Sequence, residues 1–212
     1  MTHLQRTLAV LSILVTCCHL LWGQETKEGT KKTIETPSPD GQFAFRYTGE
    51  SDSEKQTYDL IDKRSGKILT SVAESDPDLG PSARFNMKVL WRPDSKAFAL
   101  TATLWKRGSN VEVYVRNGSA FRHIALPELL ADIPEKVKGG KSFQHVSELN
   151  SQSVKRWQKD GSLVVEIETI VDGNEEGLSV TATRTVVLGF DRSDKAKVRK
   201  STTKFAVEKQ GE

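Results

Sequence analysis

The chain has 212 residues, with 31 Lys and Arg against 28 Asp and Glu, a formal net charge of +3 and a sequence pI near 8.8. So even a balance excludes a general polyanion binder, and no nucleic acid is expected as a partner. Its two cysteines stand together near the N-terminus, so the body of the protein must hold without disulfides.

Arg6 and the apolar run 7–15, continued with interruptions to Trp22, read as a signal peptide over residues 1–23. The run is shorter than the ~20 apolar residues that span a bilayer, and the composition turns polar directly after Gly23. Cleavage near Gly23 makes the protein secreted or periplasmic, with no membrane span in the mature chain. Cys17 or Cys18 stands where a lipid-bearing cysteine would, but Thr16 is bulkier than the residue such signals prefer. The simpler expectation discards both cysteines with the signal. Residues 24–37 lack an apolar period and read as a polar linker.

Residues 38–209 then read as a single all-β domain. Ser38-Pro39-Asp40-Gly41 is a turn in which Pro pre-sets φ, and the segment from Phe43 to Tyr47 alternates as a half-buried strand does. Segment 58–62 meets 67–69 across Lys63-Arg64-Ser65-Gly66. The turn returns as Arg92-Pro93-Asp94-Ser95 and as Gln158-Lys159-Asp160-Gly161, preceded by Trp91 and Trp157 where the first copy has Pro37. Segments 111–115 and 120–124 flank Arg116-Asn117-Gly118-Ser119, a hairpin signal. Segments 163–171 and 178–190 form a last hairpin, and a strand near 197–207 completes the series. Each unit can supply about four antiparallel strands, over about 38–84, 85–126 and 145–208. Between the second and third, Leu126, Leu129, Leu130, Ile133 and Val137 recur at helical spacing, predicting a short helical insertion over about 127–139 that Pro134 kinks.

These turns and strands resemble the blade repeats of the TolB-like, WD40-like bacterial β-propellers. Such blades carry a Ser-Pro-Asp-Gly-like turn, here residues 38–41, and an Asp-x-x-Thr-Gly-Lys-like hairpin, here Asp62-Lys63-Arg64-Ser65-Gly66-Lys67. The resemblance implies three propeller-blade-like units in a periplasmic or secreted protein that serves as an interaction platform. Closed propellers need about four blades, so an incomplete ring, a sheet stack and a β-sandwich all stay open.

Chemistry is sparse. Beyond the signal only His123 and His145 remain, in separate segments with no metal-ligand spacing, and no Gly-x-Ser-x-Gly elbow presents a serine. Glu166 and Glu168 share a strand face about 7 Å apart, a separation glycosidases use, but the outer face of a half-buried sheet also explains them. Pairing apolar faces sets them near Thr181 and Thr183. The acidic loops 172–177 and 74–80 could take calcium, though Thr183 stands where the first would need a bidentate Glu. Lys195, Lys197, Arg199, Lys200 and Lys204 either meet an anionic polymer or lipid, or guard an edge strand. Asn117-Gly118-Ser119 matches a glycosylation acceptor that its hairpin role already explains. Trp91, Trp105 and Trp157 are expected in the core. No catalytic, cofactor or metal residue is assigned. The expectation is an exported, non-enzymatic binding module whose partner is another envelope or extracellular protein. The alternative is a carboxylate-dependent hydrolase of an envelope or extracellular glycan.

Overall fold

Asp40, Asp94 and Asp160 each stand three residues ahead of a strand, in a computed structural model that describes residues 31–50, 56–74, 86–105, 108–141, 143–173, 178–191, 193 and 195–209. The described unit is all-β apart from one short helix. Strands β1 (Lys31–Pro37), β2 (Phe43–Glu50), β3 (Gln56–Asp62) and β4 (Ile68–Glu74) form a four-stranded antiparallel sheet in chain order. Strands β5 (Asn86–Trp91), β6 (Ala97–Trp105), β7 (Gly108–Asn117) and β8 (Ala120–Ile124) make a second meander. A third consists of β9 (Phe143–Trp157), β10 (Leu163–Gly173), β11 (Leu178–Phe190) and β12 (Ala196–Lys209). A single parallel pairing, Ser109 with Ser151, joins β7 to β9 and makes the last two meanders one eight-stranded sheet. Here the propeller expectation is corrected. Separate blades share no backbone pairing, and this bridge merges two of the three expected units.

Two cores explain why β6 opens with four apolar residues in a row, 97–100. Phe98 and Leu100 point into an aromatic core with Phe43, Phe45, Tyr58 and Leu60 of the first sheet, Trp91 of β5, Tyr114 of β7 and Phe121 of β8. Ala99 points the other way, into an aliphatic core with Val111, Val113, Ile124, Val154, Leu163, Val165, Ile167, Val186 and Leu188. Residues 97–100 are all fully buried because both faces of β6 are covered. Phe98 stacks on Tyr114 at 4.8 Å, and Phe43 meets Phe121 edge-on at 5.1 Å.

Two boundaries differ from expectation. Residues 31–37, read as linker, form β1, paired along its length with β2. The side chains of 32–37 are exposed, so the strand is held by backbone bonds and by Glu35, which pairs with Arg46 at 2.9 Å; an apolar period could not reveal it. The helix expected over 127–139 shrinks to α1 (Glu135–Lys138). Leu129 and Ala131 are buried while Leu130 and Asp132 are exposed, the period-two alternation of extended chain. Pro134 sits extended at the helix start, and Gly139 closes it in the left-handed region.

Candidate interaction surface

The three Asp turns are built alike. Gly41, Ser95 and Gly161 take positive φ, and their N–H groups donate to the carbonyls of Ser38, Arg92 and Gln158 at 2.9, 2.9 and 3.0 Å. Each carboxylate accepts the N–H two residues on, from Gln42, Lys96 and Ser162 at 3.1, 3.0 and 3.0 Å. Ser95, 1% exposed, keeps a hydroxyl where the others have glycine because its Oγ accepts the N–H of Asp40 at 2.9 Å. The tryptophans tie the turns in series. Trp91 Nε1 donates to the Thr36 carbonyl at 3.1 Å, and Trp157 Nε1 to the Leu90 carbonyl, one residue ahead of Trp91, at 3.0 Å.

Between the second and third turns lies a cleft of about 500 Å³, lined by Arg92, Pro93, Asp94, Gln158, Asp160 and Gly161. Its carboxylates are already engaged. The Ser162 hydroxyl and N–H, with Arg199, hold Asp160 below the usual carboxylate range. At Asp94, burial pulls upward, but the Arg92 hydrogen bond, the Lys96 N–H and both cations outweigh it and leave the group lowered. Both shifts favour the ionised carboxylate, the opposite of what a general acid needs. A second cleft, of about 280 Å³, lies beside residues 130–133, and Asn150 Oδ1 is buried there with no donor among the described residues.

Glu166 and Glu168 do occupy the outer face, while Val165 and Ile167 are fully buried on the other. The register is two residues from expectation, with Glu166 opposite Thr185 and Glu168 opposite Thr183. Glu166 pairs with Lys155 at 2.6 Å. His123 is exposed and sits edge-on to Tyr114 at 5.2 Å. His145 lies on β9 with its side chain outside the described residues, as is the side chain of Trp105. Residues 1–23, with Cys17 and Cys18, lie outside them too, as does most of the acidic loops 74–80 and 172–177. Among the described residues no three His, Cys, Asp or Glu gather as metal ligands, and no helix is long and apolar enough to cross a membrane. Trp91 is buried; Trp157 is half-buried against Phe190 at 5.8 Å, with the Arg92 guanidinium 5.7 Å from its ring centre.

Of the C-terminal cations, Lys197, Arg199, Lys200 and Lys204 fall on β12 and Lys195 just ahead of it; among the described residues β12 pairs with β11 on one side and with no strand on the other. It is a 14-residue strand, against seven for β1 and six for β5. Phe205, Val207 and Val198 lie opposite buried Ala182, Val180 and Leu188, so they share the core-side face, yet they are 38%, 56% and 39% exposed. Lys200, Thr202 and Lys204 lie opposite Val187, Thr185 and Thr183 on the outer face. Arg199 is the extra residue of a bulge between these two registers. The lysines were legible in the sequence. The exposed apolar face behind them was not, because strand alternation alone cannot say which core-side positions lie beyond the core.

Compared with models of protein families and with curated proteins, the chain matches none.

Proposed function

We propose that the chain is an exported, non-enzymatic protein-interaction domain that holds a partner polypeptide along the open edge of β12. The observation that carries this reading is the edge itself: 14 residues, paired on one side among the described residues, and exposed on both faces from Lys197 to Glu208. An edge strand presents a row of N–H and C=O groups outward, a template for strand addition. At about 3.4 Å per residue it offers on the order of 45 Å of backbone. Lysine guards explain the cations but not Phe205 and Val207 on the same strand, since a strand defended against pairing gains nothing from exposed large apolar residues. Export rests on the signal-like residues 1–23.

A photo-reactive group placed at Thr202 on β12, with Thr33 on β1 as the comparison site, tests the binding reading in envelope or extracellular extracts. Polypeptide adducts from Thr202 and none from Thr33 are expected; equal labelling from both sites overturns it. Intact mass tests export. The released protein begins near Gln24, and a species that keeps Met1, or carries lipid on Cys17 or Cys18, refutes simple cleavage.

A further inference from the structure

We infer that the segment received by β12 is an extended, antiparallel strand that alternates acidic and apolar residues. The inference deepens the interaction reading above and rests on it. The two faces of β12 differ in chemistry, and an added strand must match both at once. On the outer face stand Lys197, Lys200 and Lys204, with Arg199 at the bulge. Lys197 lies 3.7 Å from Asp191, and Arg199 3.0 Å from Asp160, while Lys200 and Lys204 stand exposed on the outer face. On the core-side face stand Val198, Phe205 and Val207. Directly opposed residues on an added strand bring their Cβ atoms within about 5.5 Å, so carboxylates would meet Lys200 and Lys204 while apolar residues of the other face, opposite 205 and 207, cover Phe205 and Val207. An antiparallel strand continues the pattern of β9–β12.

A second copy of β12 lacks the acidic and apolar alternation, since Glu208 is the strand's only acidic residue. Two β12 strands pairing antiparallel about Thr202 would set Lys200 of each against Lys204 of the other, and like charges placed directly opposite destabilise a pair. An acidic flexible coil or an anionic lipid surface would satisfy the cations but leave the apolar face bare.

The test uses the full chain, isotopically labelled, with three short peptides: alternating Asp and Val, the same composition with its Asp and Val in separate blocks, and alternating Lys and Val. The alternating acidic peptide should slow amide exchange along β12 and bind roughly tenfold more tightly than either control. The Lys200→Glu, Lys204→Glu double variant should reverse the preference toward the Lys–Val peptide, a result that misfolding cannot produce. Equal protection of β12 by both alternating peptides would overturn the charge preference while the edge reading stands. Equal binding of the blocked and alternating acidic peptides, or of phosphatidylglycerol vesicles, with β12 exchange unchanged would overturn both. So would no protection by any probe.

Discussion

Arg199 crosses the outer face of β11 over Gly189 to reach Asp160, 3.0 Å from its guanidinium. A Cβ at Gly189 would collide with the Arg199 side chain, so the glycine here serves a close approach and not a turn. Gly189→Ala should push Arg199 aside and break its pairing with Asp160, which Arg199→Ala should do as well; the double variant should then cost little more than either alone. Urea unfolding of the three variants reads this, and additive losses would exclude the shared mechanism. The aspartate turns carry a second prediction. Asp40, Asp62, Asp94, Asp160 and Asp191 all lie below the ordinary 3.8. Asp191 reaches about 2, chiefly through the Ser193 hydroxyl and then the Lys195 N–H. Lowered folded values mean that the unfolded chain takes up protons first as pH falls. The stability these groups contribute is complete above about pH 5 and drains through 3.8 toward about 2. Thermal unfolding should be flat from neutral pH down to about pH 5 and fall below it. Asp191→Asn keeps a turn-forming acceptor and should make the fall shallower; an unchanged slope would remove Asp191 from the account.

Among the elements, segment 126–133 shows how irregular chain is anchored. Gln152 on β9 accepts the Val111 N–H at 3.2 Å and donates to the Leu129 carbonyl at 3.1 Å, while Arg184 donates to the Leu130 carbonyl at 2.7 Å. Gln152→Ala leaves a buried N–H and a carbonyl without partners, and should cost about 1–3 kcal/mol in denaturant unfolding. Glu166→Gln with Glu168→Gln should change stability by no more than about 0.5 kcal/mol, because both lie on the solvent face and the Lys155 pairing is itself exposed. If the native chain cleaves glycans and this double variant does not, the hydrolase reading replaces the interaction module. The strands around the Asp turns were readable because Asp, Gly and alternation act locally, and β11 spans 178–190 as expected. The leucines of 126–133 misled because spacings of three and four arise in extended chain too, and Pro134 keeps the segment ahead of it out of the helix. β1 was hidden because backbone pairing leaves no apolar signature. The basic residues of β12 were visible, whereas the exposure of Phe205 depends on how far the core reaches.

For the whole described unit, the meander β5–β8 is the common member of both cores, and that sets how the protein should unfold. Phe98 binds it to the first sheet, and Ala99, the next residue, binds it to β9–β12. Losing either contact exposes one face of a strand buried on both. Phe98→Ala should therefore cost about 3–5 kcal/mol, the range for emptying a fully buried aromatic site. Ala99→Leu should cost about 1–3 kcal/mol through overpacking, on the opposite face of the same strand. Because Trp91 reaches Thr36 and Trp157 reaches Leu90, tryptophan fluorescence in a chain with Trp22 and Trp105 replaced by Phe follows the contacts between neighbouring meanders, while far-UV circular dichroism follows the strands themselves. If both cores depend on β5–β8, the two signals should fall together in urea, in that chain and in both variants of it, with one midpoint each. Should Phe98→Ala separate the midpoints, so that β9–β12 keeps its strands after the aromatic core has melted, the eight-stranded sheet would be the independent folding unit and the first sheet an appendage to it.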